Sequence, residues 1–144
     1  MENNAEYRQV KSLKRIIKNL DKEITSLILE KNTLISAIDI LNTKLQNLLT
    51  EIEQEKTLSK EFLIFEFDKF FELSKMKMQK ITEENELNKS QLDILTNNLK
   101  EKFDEQKKYE NLLDKSNSRI KHFNNLSEQK NLDELAQQRY NSEF

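Results

Sequence analysis

From Val10 onward, apolar side chains recur in alternating steps of three and four residues. The positions are Val10, Leu13, Ile17, Leu20, Ile24, Leu27, Lys31, Leu34, Ile38, Leu41, Leu45, Leu48 and Ile52, and only Lys31 among them is not aliphatic. Six heptads in unbroken register specify a helix whose apolar seam winds slowly and faces another helix along its length. A helix over about residues 5–55 would be roughly 75 Å long at 1.5 Å per residue. Further aliphatics at Ile16, Ile28, Ile35 and Leu49 widen the stripe, enough to touch a second neighbour. The Lys31 ammonium can leave the seam by extending along its methylene stem.

Composition matters here because it removes the alternatives. The 144 residues include no glycine and no proline. Sharp turns draw on glycine for positive φ and on proline for fixed φ. A compact fold of many short elements is therefore excluded, whereas one or two long helices need almost no turns. The hydrophobic class is 35% of the chain, and charged residues are another 35%. That supports a narrow seam better than a large core. The near-neutral net charge of −2 and the spacing of Leu, Ile and Phe argue against disorder.

After Ile52 the rhythm falters. Residues 51–60 read EIEQEKTLSK, with Thr57 and Ser59 as candidate helix caps. Five of the eight phenylalanines then fall within ten residues: Phe62, Phe65, Phe67, Phe70 and Phe71. A sparser stripe follows through Leu92, Leu95, Leu99, Phe103, Tyr109, Leu113, Ile120 and Phe123. The expected fold is all-α, a single elongated domain over residues 1–144. It would be two long helices in an antiparallel coiled-coil hairpin, with no sheet. The helices are placed at about 5–55 and 61–140, with the turn at about 54–60. Counting outward from that turn puts Val10 opposite roughly residue 105, and the second helix overhangs the first by several turns. A turn near Thr82, or a continuous helix that dimerises, are the alternatives.

Catalytic chemistry finds little to build on. No cysteine means no disulfide, zinc–thiolate site or thiol nucleophile. No glycine means no phosphate-cradling loop. The one histidine, His122, cannot make a metal site alone. Acid pairs such as Glu83-Glu84 and Asp133-Glu134 lack a pocket that would shift their pKa values. No enzyme activity, cofactor or metal is expected. The amino-terminal twenty residues have no apolar core of a signal peptide, and no run approaches membrane-spanning length. Arg8, Lys11, Lys14, Arg15, Lys18 and Lys22 form a basic amino-terminal flank. Pairing with acids on a neighbouring helix explains them more simply than nucleic-acid or anionic-lipid binding.

The phenylalanine cluster is the sharpest local feature, since five rings within ten residues cannot all face one helix. Some ring surface is expected to stay open for docking.

Two segments carry a family resemblance. Glu128-Gln129-Lys130-Asn131-Leu132-Asp133-Glu134-Leu135-Ala136-Gln137-Gln138-Arg139 resembles the closing signature of the flagellar FliJ family. Phe67-Asp68-Lys69-Phe70-Phe71 is similar to that family's aromatic stretch just past the hairpin tip. The departures are a turn region without glycine or asparagine, and a single late arginine, Arg139.

The resemblance implies a non-enzymatic central stalk of a type III export apparatus in the cytoplasm, peripheral to the inner membrane. Its implied partners are the export ATPase hexamer, the export-gate membrane protein and export chaperones. Nucleic acid is not among them, and membrane contact comes only through partners. By position, Leu132, Asp133, Glu134, Leu135, Ala136 and Arg139 would meet the ATPase, and Phe67, Phe70 and Phe71 the gate. A homodimeric scaffold unrelated to export, or the stalk of a virulence secretion system, are the competing readings.

Overall fold

The computed structural model describes residues 2–62 and 67–142. They form two helices, α1 (Glu2–Phe62) and α2 (Phe67–Ser142), packed against each other, with no strand among the described residues. The all-α helical hairpin expected from the heptads is therefore present. The two helices divide by packing into two compact units: Met1–Ile24 with Glu101–Phe144, and Thr25–Lys100.

The expected turn at 54–60 is not where the chain breaks, because these residues lie inside α1. Thr57 is not a cap: its hydroxyl donates to the Glu53 carbonyl one turn back, at 3.0 Å. That bond is available only mid-helix. Ser59 is half-buried, seven residues beyond Ile52, so it continues the seam. Thr82, the alternative turn site, likewise donates to the Met78 carbonyl at 2.8 Å within α2. A polar stretch without glycine or proline has no reason to stop a helix; only its apolar rhythm thins.

In the unit of Met1–Ile24 and Glu101–Phe144 the helices run antiparallel. Arg119 Nε donates to Glu6 Oε1 at 2.8 Å, and Lys102 Nζ meets Glu23 Oε2 at 3.0 Å. Four residues on from Glu6 and four back from Arg119, Val10 comes level with Lys115. The register thus differs by about ten residues from the expected partner near 105, since each residue by which a turn moves shifts the pairing by two. Val10, Leu13, Leu20 and Ile24 are buried, facing half-buried Tyr109, Leu113 and Ile120 and a wholly buried Ser116.

In the unit of Thr25–Lys100, Ile38, Leu41, Leu48 and Ile52 are buried with Leu95 and Leu99. Asn85 Nδ2 donates to Asn42 Oδ1 at 2.8 Å, while Leu27 and Leu34 border the same groove as Leu95.

All thirteen heptad positions of α1 are buried or half-buried, Lys31 included. The seam of α2 departs from the expected stripe. It runs through Asn85, Asn88, Leu92, Leu95, Leu99, Lys102, Gln106, Tyr109, Leu113, Ser116 and Ile120 in strict steps of three and four. Phe103 and Phe123 lie off it and are 49% and 44% exposed. Ahead of it, Phe67, Phe70, Ser74 and Met78 step by three, four and four. This eleven-residue repeat locally unwinds a coiled coil.

Candidate functional site

Leu132, Asp133, Glu134, Leu135, Ala136 and Arg139 all lie on the last turns of α2 and are all exposed. Counting along the axis in unit 1, Glu2 comes level with Phe123. Every described residue from Lys121 to Ser142 is exposed. At 100° per residue, Leu132, Leu135, Ala136 and Arg139 share one helical face within about 60° of Leu132. Asp133 and Glu134 do not. They line a shallow groove on the adjoining flank with Leu126, Gln129, Lys130 and Gln137. The six expected residues therefore divide into an apolar strip, with Leu132 65% and Leu135 56% exposed, and an acidic shoulder. Arg139 occupies the last turn, where a cation favours the negative end of the helix dipole.

The second expected surface is at the start of α2. Phe67 and Phe70 hold seam positions and are half-buried, whereas Phe71 is 37% exposed. The Phe67 and Phe71 rings are 5.9 Å apart at a tilt of 31°, one helical turn from each other. This contact fixes the ring that is open to a partner. Phe62 and Phe65, also expected in the aromatic patch, lie outside the residues whose side chains are described.

Arg8, Lys11, Lys14, Arg15, Lys18 and Lys22 are all exposed beside the seam. Two cross-helix ion pairs of that unit, Glu6–Arg119 and Glu23–Lys102, run in the opposite sense to the expected one, from acids on α1 to bases on α2. Lys102 is the better placed of these bases. Its ammonium occupies a half-buried seam position, 3.0 Å from Glu23 and 3.8 Å from Glu105. The hydrogen bond and the charge of Glu23 raise its pKa above the ordinary 10.5, against a smaller opposing effect of desolvation. His122 is exposed and lines an open groove with Ala5, Glu6, Arg119, Phe123 and Leu126. Among the described residues no group of acids and histidines is arranged to hold a metal, and no helix is long and apolar enough to cross a membrane.

Three features escaped the sequence reading: the buried polar residues Ser74, Asn85 and Ser116, the Glu6–Arg119 pair, and an apolar groove shared by Ser26–Leu34 and Gln91–Asn98. Only the groove left a readable signal. Leu29, Ile40, Leu87 and Ile94 are large aliphatics outside the seam, between 56% and 66% exposed.

A family model described as flagellar FliJ protein matches residues 64–143, which is 80 of the 144 residues. Neither the curated proteins nor the solved structures include a match to this chain.

Proposed function

Because the chain belongs to the flagellar FliJ family, we propose that it is the central stalk and adaptor that links the export ATPase hexamer to the export gate and to export chaperones. The family is one of non-enzymatic adaptors associated with flagellar protein export. The finer reading assigns a task to each of the two surfaces.

The observation that carries it is the exposed apolar strip on the final stretch of α2. Leu132 and Leu135 are 65% and 56% exposed, and no described residue covers that strip. Apolar residues held in that way are explained by a partner that covers them. A helix laid in a groove uses anchors three and four residues apart, which is the spacing of Leu132, Leu135, Ala136 and Arg139. In this reading the ATPase covers that strip, and the shoulder of Asp133 and Glu134 meets basic groups on the ring. Phe71, supported by Phe67 and Phe70, docks at the gate. The stalk binds no nucleotide; it biases assembly of the ring and couples it to the gate, at the inner membrane and through its protein partners alone.

Co-purification with the ATPase and with the soluble part of the gate tests both assignments. Leu135→Asp should lose the ATPase and keep the gate, and Phe71→Ala should do the reverse, each at wild-type helicity by circular dichroism. Retention of the ATPase by Leu132→Asp/Leu135→Asp would remove the first assignment. Undiminished gate binding by Phe71→Ala would remove the second.

A further inference from the structure

Within the unit of Thr25–Lys100, the two sides of the helix pair differ in character. On one side, the α2 residues just after the seam read Glu86, Lys89, Asp93, Thr96 and Lys100. On the other side, the residues just before it read Glu84, Leu87, Gln91, Ile94 and Asn98, with a single charge at one end. In α1 the matching positions are Ser26, Glu30, Thr33, Ala37, Ile40 and Lys44, in steps of four and three. These two rows flank one open groove, which Ser26, Glu30, Thr33, Gln91, Ile94 and Asn98 line together. In a chain that is 35% charged, a face with charges only near its ends is unusual. Its large aliphatics are also open: Ile40 is 56%, Leu87 66% and Ile94 61% exposed. The Thr33 hydroxyl already donates to the Leu29 carbonyl at 3.0 Å, so covering it would orphan no donor.

We propose that this face binds a second copy of the chain, forming a two-fold dimer in which α1 lies antiparallel on α1 with Ala37 at the axis. The charge pattern selects this occupant. Glu30 and Lys44 stand seven residues on either side of Ala37. A two-fold axis at Ala37 sets Glu30 of each copy against Lys44 of the other, which makes the face complementary to itself. Ala37 is small, so the backbones can approach closely where the axis passes. The α2 row meets its own image without opposing like charges: the level of Leu87 falls near Gln91 and that of Glu84 near Leu95. From Ser26 to Lys44 the face is about 28 Å long, and two helices give it a width of about 20 Å. A pair of such faces buries about 1,100 Å², at the lower edge of what a specific dimer needs, so the association is reversible and concentration-dependent. It draws on residues 26–98 alone and is independent of the export reading.

Sedimentation velocity of the full chain across a concentration series tests the proposal. A dimer should build up at tens to hundreds of micromolar. Ile40→Asp/Ile94→Asp should abolish it at unchanged helicity. Lys44→Glu alone places like charges across the interface twice, and should raise the dissociation constant by about tenfold or more. Glu30→Lys combined with Lys44→Glu restores both pairs and should restore the dimer, which a mere loss of solubility or helicity would not. Ala37→Cys provides a second route, since the chain has no other thiol. Oxidised Ala37→Cys should be a covalent dimer, and Thr96→Cys, on the opposite side, should stay monomeric. A chain that is monomeric throughout the series, or a charge swap that fails to rescue, would overturn the proposal.

Discussion

Replacing Asn85 with leucine should make the protein more stable and its pairing less exact. Asn85 is 6% exposed at a seam position of α2. Its Nδ2 donates to Asn42 Oδ1 at 2.8 Å, but its own Oδ1 is buried with no partner. Leucine removes that hydrogen bond, at a net cost of about 1 kcal/mol. It also removes the unpaired carbonyl, which costs about 1–3 kcal/mol while it is buried. Burying the leucine side chain contributes about 1.5–3 kcal/mol more. Fitting the longer side chain takes back about 1 kcal/mol or more. The balance is a gain of about 2 kcal/mol, and Asn42, which is exposed, simply turns to water.

Urea unfolding followed by circular dichroism reads this directly, as a rise in midpoint at constant slope. A double-mutant cycle isolates the pair. Asn42→Ala in the wild type strands the buried Nδ2 and should cost about 1–3 kcal/mol. In the Asn85→Leu background it should cost nothing measurable. A polar pair at one seam position singles out a register, which an aliphatic seam does not. Spin labels at Ser36 and Lys89 should therefore give one sharp distance in the wild type and a broader distribution in Asn85→Leu. If Asn85→Leu destabilises by 1 kcal/mol or more, or if Asn42→Ala costs the same in both backgrounds, the account of this pair is wrong.

Three further substitutions follow from the same packing. Leu99→Ala, at a position 5% exposed, should cost about 2–4 kcal/mol by urea unfolding, whereas Phe103→Ala, 49% exposed, should stay within about 0.5 kcal/mol. The larger ring matters less because it lies off the seam. Ser116→Leu, at the wholly buried position opposite the Val10 level, should destabilise by about 1–3 kcal/mol through overpacking, with Ser116→Ala near neutral as the control. The raised pKa of Lys102 has a sign that can be checked. A cation held above its unfolded pKa contributes stability that is complete below about 10.5 and is lost as pH rises through the folded value. The stability difference between wild type and Glu23→Gln should therefore be flat from pH 6 to 9 and narrow in the alkaline range. Titration of the Lys102 ammonium by NMR should move down in Glu23→Gln.

The first helix was legible because its seam is written in one chemical alphabet. Twelve of thirteen heptad positions are aliphatic, and all thirteen are covered, so periodicity and burial report the same thing. The second helix hid its register because Asn85, Asn88, Lys102, Gln106 and Ser116 occupy seam positions. A reader who follows the apolar residues is drawn instead to Phe103 and Phe123, which lie outside. The expected turn at 54–60 falls inside α1 for a related reason. Thr57 looks like a cap, but a threonine hydroxyl serves equally well bonded to the carbonyl four residues back, and sequence does not tell the two apart. The resemblance points to the carboxy-terminal strip, and its division into an apolar face and an acidic shoulder needs only the 100° step. The groove beside Ile40 and Ile94 needed both helices, and their correct register, before it could be seen as one surface.

The polar seam of α2 has a physical consequence for which partner α1 accepts. A helix as uniformly aliphatic as α1 would pair with a copy of itself at least as well as with α2, since Leu and Ile at seam positions do not discriminate among partners. Two things favour α2. It is tethered to α1 through the few residues between Phe62 and Phe67, which sets a high effective concentration. It also carries groups that meet a partner across the pair in this alignment: Asn85 against Asn42, Lys102 against Glu23 and Arg119 against Glu6. Ser116, wholly buried, adds a steric condition, because a larger neighbour has no room there. Asn85, Lys102 and Ser116 weaken the seam relative to leucine, and another register would leave the buried Asn85 amide nitrogen without its partner. The stability given up at Asn85 and Ser116 is thus exchanged for a single pairing.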